Sequence, residues 1–276
     1  MRRVHIWMSA QRIYLLMIAF AIVYCTAPAR AAHAALPLSP AGVLDRPAMS
    51  LSPTELQGTA TSLPVPEGEG QLTVGHQTRY IFDGQGRSTA SWRGVVRIVT
   101  STGARSFGPL EAEWAPWYQD RPQIRARVIG SDGRVFVIDE RLITEQPVYE
   151  ADAALHSDRR MLKVPLPALQ PGSVIEYEVV VTERVPMFAQ GTVQRQYFPA
   201  SSPTCLSRLV LEAPSALPLR HAVHGLAGAP RRTQTATTTR LVFEHDQQCS
   251  KRTVERLPQG MRSEERRVGK ECLRLC

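Results

Sequence analysis

The chain has 276 residues, a formal net charge of +8 and only 7% aromatic residues. Four arginines of the N-terminal segment (Arg2, Arg3, Arg12, Arg30) and a basic C-terminal stretch from Arg262 carry most of the excess, and the middle is left near +2. A near-neutral body lacks the electrostatic footprint of nucleic-acid binding, and that partner class is excluded.

Residues 1–31 read as a signal peptide. Arg2, Arg3 and Arg12 precede the apolar run IYLLMIAFAIVYC, and A-R-A (Ala29–Ala31) and A-H-A (Ala32–Ala34) follow as small-x-small exits. Cleavage is expected after Ala31 or Ala34. The run falls short of the roughly 20 apolar residues a spanning helix wants, so membrane contact is expected only if the segment stays uncleaved. Bulky Tyr24 ahead of Cys25 argues against a lipobox. The expected location is the periplasm or another exported site of a Gram-negative-type bacterium.

Residues 32–71 are rich in Pro, Ser and Ala, a composition that buries little apolar surface and predicts a flexible lead-in. Within it, Ser52–Gln57 (S-P-T-E-L-Q) resembles a helix start. From Leu72 onward, apolar and polar residues alternate in short segments. Strands are predicted at ASWRGVVRIVT, QIRARVI, RVFVID, RRMLKVPLP, SVIEYEVVV, VQRQYF, LSRLVLEAP and TTTRLVFEH. In SVIEYEVVV, Ile175, Tyr177, Val179 and Val181 share one face. Glu176, Glu178 and Thr182 are assigned to a wetted one. The turn Gly130–Gly133 joins two strands into a β-hairpin. Short helices are predicted at Gly108–Trp114 and Ala151–Ser157. The fold class is therefore all-β and mainly antiparallel, a single sandwich-like domain over 72–250. A linker over 251–261 follows. The tail 262–276 resembles an adapter-derived translation, RSEERRVGKEC, and predicts an interrupted coding sequence near Met261.

Trp92, Val95 and Val96 in W-x-x-V-V-R-I-V, the hairpin from Arg121 to Gly133, the segment H-S-D-R-R-M-L-K-V-P-L-P-A-L-Q-P-G-S-V-I-E-Y-E from His156, Y-F-P (Tyr197–Pro199) and S-R-L-V-L-E-A-P from Ser207 occur in a telling order. Together they resemble a bacterial family of unknown function that sits N-terminal to transglutaminase-like domains. The resemblance covers about half the chain, from about Arg87 to Leu219. It implies a β-sandwich module of an envelope protein, followed by a Cys-His-Asp papain-like domain. The expected role is a non-catalytic packing or protein-interaction scaffold, truncated before its enzyme. Its expected partner is the missing downstream domain or an envelope polypeptide. The alternative is a stand-alone periplasmic binding or assembly module.

Candidate chemistry is sparse. Cys205, His245 and Asp246 stand in the transglutaminase order, which would make a cysteine hydrolase. However, Cys205 precedes a strand instead of opening a helix, whose dipole would activate the thiol. Consecutive His245 and Asp246 point to opposite faces of a strand. No catalytic residue is assigned. Cys205 and Cys249 are instead candidates for a disulfide, which an oxidising compartment permits. His221, His224, His245 and Cys249 offer zinc-type donors in an extended segment that does not chelate, so no metal is assigned. No phosphate-cradling glycine loop appears, and no cofactor is expected. Trp114, Trp117 and Tyr118 form the densest aromatic cluster and are the candidate interaction surface.

Overall fold

The computed structural model describes residues 37–148, 158–186, 193–198, 202–226, 228–250 and the backbone of 273–275. Alternation dictates the dominant feature, an eight-stranded sheet of order β12-β13-β10-β1-β2-β8-β4-β5. Its strands are β1 (Gln71–Phe82), β2 (Ser88–Ile98), β4 (Gln123–Ile129), β5 (Val135–Val137), β8 (Val174–Thr182), β10 (Thr204–Pro214), β12 (Arg231–Gln234) and β13 (Thr238–Ser250). Every pairing is antiparallel except that of β1 with β10, which run parallel. A second sheet, β3-β7-β6, is built from β3 (Leu110–Trp114), β6 (Thr144–Pro147) and β7 (Arg160–Val164). A further three-stranded sheet pairs β9 (Arg195–Gln196) and β11 (His221–Ala222) with β14 (Leu273–Leu275), so the tail contributes one short strand.

The predicted hairpin forms. Gly130 N–H donates to Arg134 O at 2.8 Å, and Gly133 takes the positive φ of 80° that the turn requires. The helix predicted at Gly108–Trp114 does not. Leu110, Ala112 and Trp114 alternate inward as strand β3, and the helix lies just before it, at Ser101–Phe107 (α3). Burying every second residue under a sheet overrides the weak helical pattern. Ala151–Ser157 lies outside the described residues.

The two sheets pack as a sandwich. Ala112, Trp114 and Leu162 of the small sheet meet Val179 and Val181 of the large one. Gly94 lies opposite Tyr177 in register, and a Cβ there would come within 2.4 Å of the Tyr177 ring. Glycine lets the aromatic lie flat across the strand.

The other face of the large sheet departs from the sequence expectation. Residues 37–70, read as part of a flexible lead-in, carry helices α1 (Pro40–Asp45) and α2 (Pro53–Ser62), and both pack on this face. Proline at the first turn and a full capping box start α2: Ser52 Oγ accepts Glu55 N–H, and Glu55 Oε2 accepts Ser52 N–H at 3.0 Å. Val43, Leu51, Leu56 and Ala60 are buried against Val74, Val95, Ile129 and Val174. Those few apolar side chains, at spacings that suit two short helices, outweigh the polar composition around them. Leu44 sits over Gly75, where a Cβ would stand 3.0 Å from its Cγ.

Buried charge reinforces this cover. Glu176, assigned to a wetted face, is fully buried beneath residues 46–51. Its Oε1 accepts from Arg93 Nη2 at 2.8 Å and Met49 N–H at 3.0 Å. Its Oε2 accepts from Arg127 Nε at 3.0 Å and Nη2 at 2.6 Å. The two arginines go on to donate to the carbonyls of Arg46 and Leu51, at 2.5 and 2.7 Å. One carboxylate thus fastens two strands of the sheet and the loop lying over them.

Cys205 and Cys249, on neighbouring strands β10 and β13, are joined by a disulfide and packed beside Leu72. Nearby in β1, burial of the His76 ring lowers its pKa below the ordinary value of about 6.5. The unfolded chain therefore takes up a proton that the folded one resists, and stability is expected to fall as pH drops below about 6.5. Urea midpoints measured at neutral pH and at about one unit below 6.5 check this; in His76→Gln the decline should be shallower.

Candidate ligand-binding cleft

The sandwich opens at one end into a cleft of about 800 Å³. Its floor comes from the large sheet, where alternation directs Tyr80 (β1), Ala90 and Trp92 (β2) and Tyr177, Val179 and Val181 (β8) to one side. Its opposite wall is β3, and its mouth is the turn after β3, A-P-W-Y-Q. That turn closes with Tyr118 N–H and Gln119 N–H donating to Ala115 O, at 3.1 and 2.9 Å. The Gln119 side chain returns to accept Ala115 N–H at 2.8 Å. Arg184 N–H then donates to Tyr118 O at 2.8 Å, which pins the turn beside the end of β8.

The aromatic cluster divides. Trp114 is 4% exposed and belongs to the core between the sheets, so it presents little surface for a partner. Trp117 is 57% exposed at the cleft mouth, with its ring centroid 4.3 Å from that of Tyr118. Strand alternation puts Trp114 inside, and the turn at Pro116 releases its neighbours. On the rim, Glu111 pairs with Lys163 at 3.1 Å and Glu113 with Arg159 at 2.5 Å.

Glu183, unmarked by sequence reasoning, is a buried charged group of the cleft, which Glu111, Glu113 and Arg159 also line. It lines the cleft at 7% exposure, just beyond the end of β8. Its Oε2 accepts Ser88 N–H at 2.6 Å, and among the described residues no cation pairs with it. Its negative charge reaches two phenols. Burial first and the Glu183 charge second raise the pKa of both Tyr80 and Tyr118, with Arg159 opposing at Tyr118. In sequence, the residue's one signal is parity, since it falls on the apolar side of the alternation that runs through Val179 and Val181.

A family model for a domain of unknown function, DUF3857, matches residues 84–249. The chain belongs to the DUF3857 family. Among solved structures, this DUF3857 chain is similar to a "putative protease" from Parabacteroides distasonis, with a TM-score of 0.61 and 13% identity over 75% of this chain and 40% of that one. That likeness shows a shared fold, and the chain spans well under half the length of the protein it matches. An M1 zinc metallopeptidase from Deinococcus radiodurans also matches, at 12% identity and a TM-score of 0.33 over 64% of this chain and 39% of that one. No curated protein sequence matches.

The remaining candidates of this DUF3857 domain are not assembled into a reactive site. Cys205 is 2% exposed and bonded to Cys249, so it presents no thiolate and the cysteine-hydrolase reading fails at its nucleophile. The His245 ring lies edge-on to Phe198 at 6.2 Å, and His221 edge-on to Phe243 at 5.5 Å. Among the described residues, no three His, Cys, Asp or Glu side chains gather as metal ligands.

Proposed function

We propose that this chain is the non-catalytic N-terminal β module of an exported protein, and that a transglutaminase-like domain follows it in the uninterrupted gene. The module packs against that domain or recruits an envelope polypeptide in the periplasm, presenting the cleft mouth with Trp117 and Tyr118 as contact surface. The observation that carries this reading is the span of the structural match: 75% of this chain corresponds to only 40% of the Parabacteroides protein. The loss of Cys205 to a disulfide supports a role in holding partners over one in reaction. Sequencing across the native locus tests the proposal. The expected result is a frame that continues past about Met261 into a segment carrying Cys, His and Asp. A stop codon close after Met261 overturns it.

The cleft itself favours a second reading, a stand-alone binding module. That reading expects a purified chain that is monodisperse without a partner, measured by light scattering. The first expects self-association through apolar surface that the following domain would cover.

A further inference from the structure

Buried carboxylates are ordinarily paired, because an isolated charge out of water is costly. Glu183 departs from this rule inside a cleft open to ligands. One backbone N–H holds its Oε2, and no described cation neutralises it. The carboxylates on the rim already have their own partners in Lys163 and Arg159. Near Glu183 stand the phenols of Tyr80 and Tyr118, and Val179, Val181 and Ala90 share the apolar floor with Trp92 and Tyr177. Aromatic rings near a carboxylate suit a cation, and an apolar floor suits a hydrocarbon stem.

We propose that the inter-sheet cleft binds a primary ammonium group on an aliphatic stem, as a lysine side chain carries, with Glu183 as its counter-ion and Trp117 closing over the stem at the mouth. An arriving ammonium supplies a positive charge that no cation among the described residues brings to Glu183. It also brings three N–H donors to a carboxylate that has one, and its methylenes cover Val179 and Val181. This site is independent of whether an enzyme domain follows.

Calorimetric titration of the purified chain tests it, with Nα-acetyl-lysine amide against its neutral isostere, Nα-acetyl-norleucine amide. The lysine probe is expected to bind saturably and the norleucine probe roughly tenfold or more weakly, the discrimination a charged hydrogen bond provides. Glu183→Gln, which keeps an oxygen for Ser88 N–H, is expected to bring lysine binding down to the norleucine level. Trp117→Ala, at an exposed position that does not support the core, is expected to weaken it roughly threefold. Butylammonium, run alongside, distinguishes the sources: tighter lysine binding indicates a peptide and tighter butylammonium binding a free amine, and either supports the site. Equal binding of the lysine and norleucine probes overturns the proposal, as does lysine binding that survives Glu183→Gln. So does failure of the lysine probe to saturate at about 20 mM, where even a millimolar site would fill. If Glu183→Gln does not fold, the two probes on the native chain and Trp117→Ala still decide.

Discussion

Glu176→Ala is expected to destabilise the fold by about 3–5 kcal/mol, the cost of removing one member of a buried ion pair. The magnitude follows from what remains behind. Arg93 and Arg127 have side chains only 4% and 12% exposed, and the substitution leaves both guanidiniums without their carboxylate beneath the helical cover. Met49 N–H loses its acceptor as well, so the loop over 46–51 loosens together with the charge. The thermal midpoint should fall by roughly 10 °C for a domain of this size, and the urea midpoint should fall with it. Hydrogen exchange at Met49 should quicken before that of strand β2. Replacing Arg93, Glu176 and Arg127 together with apolar residues should cost less than Glu176→Ala alone, because no charge is then stranded. A Glu176→Ala variant within about 1 kcal/mol of the parent would show that water reaches the network and that the cover is not held by it.

The second large effect belongs to the Cys205–Cys249 disulfide, which joins residues 44 apart in sequence. Closing a loop of that length limits the unfolded chain, and the double variant Cys205→Ser, Cys249→Ser is expected to lose about 2–4 kcal/mol. The bridge ties β13 to β10 where both pack beside Leu72, with Leu63 and Val65 from the lead-in alongside. Loss of the bridge should therefore be felt in the cover as well as in the sheet. Thermal melts with and without reductant check this. Reductant should lower the midpoint of the parent and leave the double variant unmoved. Equal midpoints for the two chains would remove the bridge from the list of stabilising contacts.

Much of the strand pattern is legible in the residue order because alternation is a local signal. SVIEYEVVV, LSRLVLEAP and TTTRLVFEH each became a strand of the large sheet, with consecutive residues buried on both faces along part of each strand. The glycines at 130 and 133 set the hairpin, and S-P-T-E set the start of α2, because turns and caps are satisfied by neighbours in sequence. What alternation omits is the identity of the covering layer. Glu176 reads as solvent-facing by parity, yet the loop between α1 and α2 lies over it, and only the arrival of Arg93 and Arg127 from β2 and β4 makes its burial tolerable.

The same distinction separates the expected sites from the observed cleft. Trp114, Trp117 and Tyr118 were a single aromatic cluster in sequence, but one is core and the other two are rim. Glu183 carried no motif at all. Its character comes from Ser88, Tyr80 and Tyr118, brought to it from β2, β1 and the turn after β3.

By itself the sequence determined that this protein is a β-sheet module with short turns and capped helical starts, since each of those rests on contacts within a few residues. The tertiary structure alone decided that β1 lies parallel to β10 in mid-sheet, that the N-terminal helices cover part of one face, and that a carboxylate with no cation partner among the described residues lines the opening on the other. The reason is physical. Pairing partners, burial and charge compensation depend on residues distant in the chain, and no local periodicity encodes which of them will meet.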